Sequence, residues 1–468
     1  MLPRTAGAPS YRWCSLVRPL LAPLLPHPPS PIPRHSSLSP RYAPPLTGQK
    51  PPLRKPSNGT APAPTRPAPQ LRSQLRPQFH PQPRRGPMKI SRIETFLAPP
   101  RWMFVRVETD EGLVGWGEPV VEGRTEPVRA AVEVLAEYLL GQEPGRIEDH
   151  WQVMTKGGFY RGGPVLSSAV AGLDQALWDI KGKRHGLPVH QLLGGPVREK
   201  IRTYAWVGGD EPEAIRDAVT AQTEAGFTAV KMNGCGRMSP VATRAEVRAC
   251  LRRAETAREV LGDDRDFGLD FHGRVSPANA RRLLPLLAEH APMFVEEPVL
   301  SDYMQALPDL VNASNIPLAL GERLFTRREF LAPLQAGVAI LQPDISHAGG
   351  ISELRRIAAL AETYGAQLAP HCPLGPVALA ASLQVAFTTP NFLIQEQSLG
   401  IHYHQDAELL DYVVDPEPFR FHGGSLLRTE RPGLGVEVDE AAVRAADARG
   451  HAWRNPVWRH EDGSFAEW

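Results

Sequence analysis

Gly268-Leu269-Asp270-Phe271-His272-Gly273 sets one carboxylate and one imidazole two positions apart in an otherwise small and apolar frame. Side chains alternate faces along a strand, so positions i and i+2 share a face. Read as a strand, this stretch puts Asp270 and His272 side by side with Phe271 turned behind them. Two further acidic clusters follow, Phe294-Val295-Glu296-Glu297-Pro298 and Leu320-Gly321-Glu322-Arg323. Asp270, Glu296 and Glu322 are spaced 26 and again 26 positions apart, about the length of one strand, loop, helix and return. Three carboxylates at the ends of three consecutive parallel strands converge on one point, and converging carboxylates need a cation.

Working outward, short apolar runs alternate with helical stretches. The runs cover 201–208, 229–233, 267–273, 293–298, 317–324, 340–344, 367–373 and 391–397, with helices predicted over 212–225, 242–261, 278–289 and 351–364. Such alternation means parallel strands with crossover helices, and eight units close naturally into a (β/α)8-type barrel. Residues 88–200 read differently, as a small α+β domain. Strands are predicted over 90–97, 103–109 and 113–118, and helices over 127–140 and 167–183. The glycine-rich loop 156–164 is either a lid that packs Phe159, Tyr160 or Arg161 over a ligand or a solvated connector.

Polar residues crowd the predicted C-terminal ends of the barrel strands. Lys231 and Asn233 end the second, Asp270 and His272 the third, Glu296 the fourth and Glu322 the fifth. Asp344, His371 and Glu396 follow on the sixth, seventh and eighth. In barrel enzymes the catalytic face is the C-terminal one. Packing alone does not explain the series, because each desolvated charge costs several kcal/mol unless paired. Carboxylates without a cysteine favour a hard, oxygen-loving cation, and Mg2+ keeps positions open for substrate oxygens. Zn2+ gains ground only if His272 is itself a ligand. Asp344 and His371 fall on adjacent strands, so the carboxylate is placed to fix the imidazole tautomer and raise its basicity. A metal beside this pair and a second histidine suits proton abstraction next to a carboxylate, with His272 protonating a leaving hydroxyl on the neighbouring carbon.

Composition sets outer bounds. The hydrophobic fraction of 42% and charged fraction of 22% belong to a soluble globular protein, and 468 residues can hold more than one domain. Residues 1–87 carry 13 Lys or Arg and no acid, leaving −12 for the remainder against a whole-chain total of +1. A mildly acidic body offers no electrostatic case for nucleic-acid binding. The same tail holds 23 of the 49 prolines and no hydrophobic period, so it is expected to be a disordered extension outside the fold. Cys14, Cys235, Cys250 and Cys372 are scattered without C-x-x-C spacing, which reads as reduced thiols in a cytoplasmic protein. No apolar run is long enough to span a membrane.

Several long motifs carry a family resemblance. They are Asp-Phe-His-Gly-Arg-Val (270–275), Phe-Val-Glu-Glu-Pro-Val (294–299), Gly-Glu-Arg-Leu-Phe (321–325) and Gln-Pro-Asp-Ile-Ser-His-Ala-Gly-Gly (342–350). Pro-His-Cys-Pro-Leu-Gly-Pro (370–376) and Gln-Glu-Gln-Ser-Leu-Gly-Ile-His-Tyr (395–403) complete the set. In content and order they resemble the enolase superfamily, mandelate racemase subgroup, from Met88 to the C-terminus.

The resemblance implies a capping domain over 88–200, a barrel over 201–404 and a segment from about 405 that returns to the cap. It implies that Asp270, Glu296 and Glu322 bind Mg2+, that His272 is the general acid and that the Asp344–His371 dyad is the base. Glu396 is implied to stabilise an enediolate by hydrogen-bonding the substrate carboxylate. Lys231 and Asn233 are expected to bind substrate. They stand where the superfamily often has a Lys-x-Lys pair, whose second lysine serves as a base on the opposite face. Its absence argues against two-sided racemisation and fits one-sided loss of water. The reaction implied is dehydration of D-galactonate to 2-dehydro-3-deoxy-D-galactonate. Another aldonate such as gluconate is the first alternative, and racemisation or epimerisation of a 2-hydroxy acid the second. Self-association into a homo-oligomer is implied as well, and the loops around 98–104 and 157–164 are expected to set substrate choice.

Overall fold

The computed structural model describes residues 87–401, 404 and 407–468. The extension over 1–86, with Cys14, and the motif residues His402 and Tyr403 lie outside the described residues.

Three strands, β1 (Ile90–Ala98), β2 (Trp102–Thr109) and β3 (Val114–Gly117), form an antiparallel sheet in the order β1-β2-β3. Helices α1 (Thr125–Leu139), α2 (Ile147–Lys156), α3 (Pro164–His185) and the short α4 (Val189–Leu192) follow. Helix α3 starts with Pro at its first turn, where no N–H is missed, and stops at Gly186 in the left-handed conformation, φ 65°. Its middle is buried on nearly every side, because it packs against the three-stranded sheet on one face and a barrel helix on another. Glycine makes the first contact possible. A Cβ on Gly117 would come within 1.8 Å of the Gly172 carbonyl oxygen.

After β4 (Lys200–Arg202), the barrel strands are β5 (Ala205–Val207), β6 (Ala229–Asn233), β7 (Asp266–Asp270), β8 (Phe294–Glu296), β9 (Leu318–Leu320), β10 (Ile340–Leu341) and β11 (Gln367–Leu368). From β5 to β11 they make one parallel sheet in sequence order. The predicted eighth strand closes the ring through parallel bridges Leu368↔Phe392 and Thr203↔Gln395 rather than a long ladder. The predicted first strand, 201–208, is corrected. It splits, β5 joining the barrel while β4 turns out to pair antiparallel with β12 (Ser425–Leu427).

The crossovers are α5 (Pro212–Glu224), α6 (Arg244–Leu261), α7 (Pro277–Leu287), α8 (Leu307–Ala313), α9 (Leu331–Gln335), α10 (Gly350–Thr363) and α11 (Pro376–Thr388). Local sequence sets their starts. Thr243 and Glu246 form a reciprocal capping box on α6, and Ser276 caps α7 just before Pro277. Inside the ring Tyr204, Phe294, Ile340 and Ile394 form a small apolar plug, so the barrel is a packed core and not a pore. After β12, helix α12 (Glu440–Arg449) packs on β1, and Asp447 accepts the Leu97 N–H at 2.7 Å. A hairpin of β13 (Trp458–Arg459) and β14 (Phe465–Ala466) ends the chain. No helix among the described residues is long and apolar enough to cross a membrane.

Candidate active site

Parallel register builds the floor of the site. Asn233 pairs with Asp270 across β6 and β7, and Asp270 pairs with Glu296 across β7 and β8. Glu322 lies just past β9, and one oxygen from each of Asp270, Glu296 and Glu322 lies within 4.8 Å of the others. Asp270 and Glu296 are buried, so their charges need partners. Lys231 supplies the nearest one. Its buried Nζ is 3.0 and 2.9 Å from the two Glu296 oxygens, 2.8 Å from Glu396 Oε1 and 3.6 Å from Asp270 Oδ2. Gln342 Nε2 donates to Glu296 Oε2 at 2.6 Å.

One lysine does not neutralise four carboxylates. Burial, then the neighbouring Asp270, pushes Glu296 up to about 8. Burial acts in the same sense on Glu322, but His371 and Arg323 outweigh it and hold that carboxyl at about 2. Asp270 Oδ1 accepts the His272 N–H at 2.7 Å, whereas its buried Oδ2 has no hydrogen bond. Three convergent carboxylates with no sulfur donor fit a hard divalent cation.

His272 reaches this point by a route that differs from the expectation of strand alternation. Strand β7 ends at Asp270, and the chain then turns so that His272 takes a left-handed φ of 49°. Its Nε2 nevertheless lies 3.2 Å from Asp270 Oδ2, and its ring meets Trp206 edge-on at 5.8 Å. Glu297, one residue past Glu296, is also left-handed at φ 41°. Such conformations cost non-glycine residues about 1–3 kcal/mol each and persist only where neighbours enforce them. Arg323 does so here, donating to the His272 carbonyl at 3.1 Å and pairing with Glu297 at 2.9 Å. Burial lowers His272, with Asp270 opposing.

On the opposite side, His371 Nδ1 lies 2.7 Å from Asp344 Oδ2. The Ser346 and His347 N–H groups donate to the other Asp344 oxygen at 2.6 and 3.1 Å, so this carboxylate is an acceptor and the Nδ1–H donates. His371 Nε2 is thereby turned to the pocket, 3.1 Å from Glu322 Oε2 and 3.9 Å from Glu396 Oε2. Burial resists its protonation, but Glu322, Glu396 and Asp344 together raise it well above the ordinary histidine range. Glu396 accepts the Cys372 N–H at 2.8 Å. Glu118, just after β3, accepts the Gly375 and Ala378 N–H groups at 2.6 and 2.9 Å, bracing the loop that follows His371 against the start of α11. A side chain at Gly375 would collide with it, since a Cβ there would fall 2.7 Å from Glu118 Oε1.

A cavity of about 1110 Å³ opens over this floor. Seven of the nine predicted residues line it: Lys231, Asn233, Asp270, His272, Glu322, His371 and Glu396. Glu296 and Asp344 stand behind the wall and act on it through Lys231 and His371. Asn233 Oδ1 is held by Arg274 Nη1 at 3.3 Å.

Sequence reasoning missed Glu122 and His347, whose carboxylate and Nε2 are 3.1 Å apart, while His347 Nδ1 donates to the Glu322 carbonyl at 3.1 Å. Burial opposes a charge on His347, but Asp344 and Glu122 raise it to about 9. The motif 342–350 contained His347 without a role for it, and nothing near Glu122 marks it in sequence. Of the two loops expected to set substrate choice, the first contributes Arg101 to the cavity. The second does not: Phe159 and Tyr160 are 92% and 90% exposed, and Arg161 lines a separate cleft with Trp151 and Arg327. The loop therefore does not cover the catalytic cavity in this structure.

Residues 213–442 match the family described as enolase C-terminal domain-like, and residues 77–194 match the mandelate racemase / muconate lactonizing enzyme N-terminal domain. A D-galactonate dehydratase of Cronobacter sakazakii (strain ATCC BAA-894) is 54% identical over 382 residues, covering 81% of this chain and 100% of that one. Among solved structures, an enolase from Agrobacterium radiobacter bound to Na and L-malate superposes with a TM-score of 0.75 at 35% identity, covering 81% of this chain and 100% of that one. A mandelate racemase/muconate lactonizing enzyme from Sulfitobacter sp. gives 0.74 at 30% identity, over 80% and 99% of the two chains.

Proposed function

This chain belongs to the mandelate racemase / muconate lactonizing enzyme family of enolase-like proteins, and from that premise we propose that it dehydrates D-galactonate to 2-dehydro-3-deoxy-D-galactonate with Mg2+. The observation that carries the chemistry is a pair of imidazoles, His371 backed by Asp344 and His272 beside Asp270, lining one cavity with Glu322. The substrate rests on the Cronobacter relative, which the chain matches over that protein's whole length. The Agrobacterium neighbour, which holds L-malate, supports a site for small hydroxy acids. In this reading residues 88–200 are the cap, 201–404 the barrel and the segment from 405 a return to the cap.

Asp270, Glu296 and Glu322 would hold Mg2+, which supplies Lewis-acid stabilisation of negative charge on the substrate carboxylate. Asp344 keeps Nδ1 of His371 protonated, so Nε2 is the nitrogen that faces the substrate, and in its unprotonated form it takes the proton from C2. The electrons of the C2–H bond form the C2–C3 double bond while the C3–O bond breaks. His272, in its protonated form, gives its proton to the departing hydroxyl. Water leaves, and the resulting enol becomes the 2-keto acid. Glu396 and Lys231, locked together at 2.8 Å, position the carboxylate end, and Asn233 with Arg274 forms the adjacent edge. Racemisation needs a second base across the substrate. Lys231 is occupied by Glu296 and Glu396, and Asn233 is not basic, so neither supplies it.

The test is to follow 2-keto-acid formation with semicarbazide from a panel of aldonic acids with Mg2+ and the full chain. Turnover of D-galactonate, lost in His371→Asn and His272→Asn, supports substrate and mechanism together. Preference for gluconate or another aldonate would retain the chemistry and reject the substrate. Solvent deuterium appearing in recovered substrate without keto acid would reject dehydration.

A further inference from the structure

One wall of the catalytic cavity comes from the far end of the chain and takes no part in the proton transfers. Trp453, Pro456, Val457, Trp458 and Trp468 line the same space as His272 and His371. Two arginines seat the tryptophans. The Arg274 guanidinium lies 4.7 Å from the Trp458 ring centroid, and the same side chain bonds Asn233 Oδ1 and the Cys235 carbonyl at 3.3 and 3.0 Å. Arg101 lies 5.2 Å from the Trp453 ring while donating to the Pro373 carbonyl, two residues from His371, at 3.2 Å. The Trp453 and Trp468 rings approach to 6.5 Å, and Arg237 donates to the Arg459 carbonyl on the hairpin. The segment is thus tied at several points to the loops that carry the site, although it is otherwise exposed.

We propose that Trp458, assisted by Trp453, is a specificity-determining residue that receives the polyol end of the substrate and so selects for chain length. The inference rests on the aldonate reading. In that reading the carboxylate, C2 and C3 are fixed at the floor, between Glu396, His371 and His272. The remaining carbons then run from the strand ends toward the mouth, where the ionisable floor gives way to indole faces. An indole buries the C–H face of a polyol, and a stacked guanidinium keeps the ring from rotating out of the way. On this proposal a six-carbon acid reaches the wall and a four-carbon acid does not.

The experiment measures kcat and KM of the full chain with Mg2+ on aldonic acids of four, five and six carbons, using competitive inhibition constants for any acid bound without turnover. Trp458→Ala is expected to raise KM for the six-carbon acid by about tenfold, with a much smaller change in kcat and none in the affinity for the four-carbon acid. Trp458→Phe, which keeps an aromatic face, should recover most of that affinity. Equal losses on short and long acids, a loss confined to kcat, or no change at all would overturn the proposal. So would failure of Trp458→Phe to outperform Trp458→Ala. If the wild-type chain neither dehydrates nor binds any aldonate, the parent reading fails and this one with it, and that result is visible in the wild-type arm alone.

Discussion

Lys231 grips both oxygens of Glu296, at 3.0 and 2.9 Å, under the point where Asp270 and Glu322 converge. This is a buried cation inside a carboxylate ring, raised well above the ordinary lysine range by Glu296 and Glu396 despite its burial. Removing one partner of such a cluster leaves the others uncompensated, at a cost of about 3–5 kcal/mol. Lys231→Met should therefore lower unfolding stability by that order in metal-free buffer, as measured by urea denaturation. A change below about 1 kcal/mol would mean that water or relaxation already screens the ring.

The bond from His371 Nδ1 to Asp344 Oδ2 makes a separate prediction. In Asp344→Asn the amide keeps an oxygen for the Ser346 N–H and turns its NH2 toward Nδ1, which must then accept. The imidazole proton moves to Nε2, the nitrogen that faces substrate, and the base is lost. A fall in kcat on the order of 10²–10⁴ is expected, by analogy with the wrong-tautomer effect in triads, with KM little changed. Retention of kcat within a factor of a few would show that Asp344 does not set the tautomer.

Much of this arrangement is legible in the sequence because barrel chemistry is periodic. Lys231, Asp270, Glu296 and Glu322 each close an apolar run, and strand order alone brings them together. What escapes is of two kinds. Helix α11 is buried around nearly its whole circumference, so it shows no 3.6-residue contrast between faces, and nothing in its pattern marks it as a helix. The break between β4 and β5 depends on a partner strand, β12, more than 200 residues away. Glu118, Glu122 and Trp458 likewise touch the site only through tertiary contacts and carry no local signal. The Asp270–His272 adjacency was expected for the wrong reason: a left-handed turn produces it, not strand alternation.

The convergent oxygens of Asp270, Glu296 and Glu322 lead us to expect that a divalent cation stabilises the fold as well as the reaction. Ligand that binds only the folded state adds about 2.7 kcal/mol at a concentration of 100 Kd. Chelation with EDTA should lower the melting temperature by several degrees and abolish turnover, and Mg2+ should restore both. In Asp270→Asn the melting temperature should no longer respond to Mg2+. A response that survives in that variant would place the cation elsewhere.

Away from the site, Asp174 is buried on α3 with both oxygens committed to Ser352, whose hydroxyl and N–H donate at 2.6 and 2.9 Å. Burial pushes its carboxyl up to about 7 from 3.8, against the lowering effect of those two bonds. Between these values the folded chain holds a proton that the unfolded chain has released, so stability falls as pH rises. The contribution is complete below about pH 4 and gone once pH passes through about 7, and the shift corresponds to about 4 kcal/mol at most. Asp174→Asn removes the titration and keeps the geometry, since its oxygen can accept the Ser352 N–H and its NH2 can donate to the hydroxyl. Urea unfolding of wild type and variant at pH 5 and pH 8 isolates the effect from every other titrating group. The wild type should lose about 3 kcal/mol more than the variant between the two values. Parallel pH dependences would mean that Asp174 is ionised throughout, its charge held by the two Ser352 bonds and the nearby Arg356 rather than surrendered to burial.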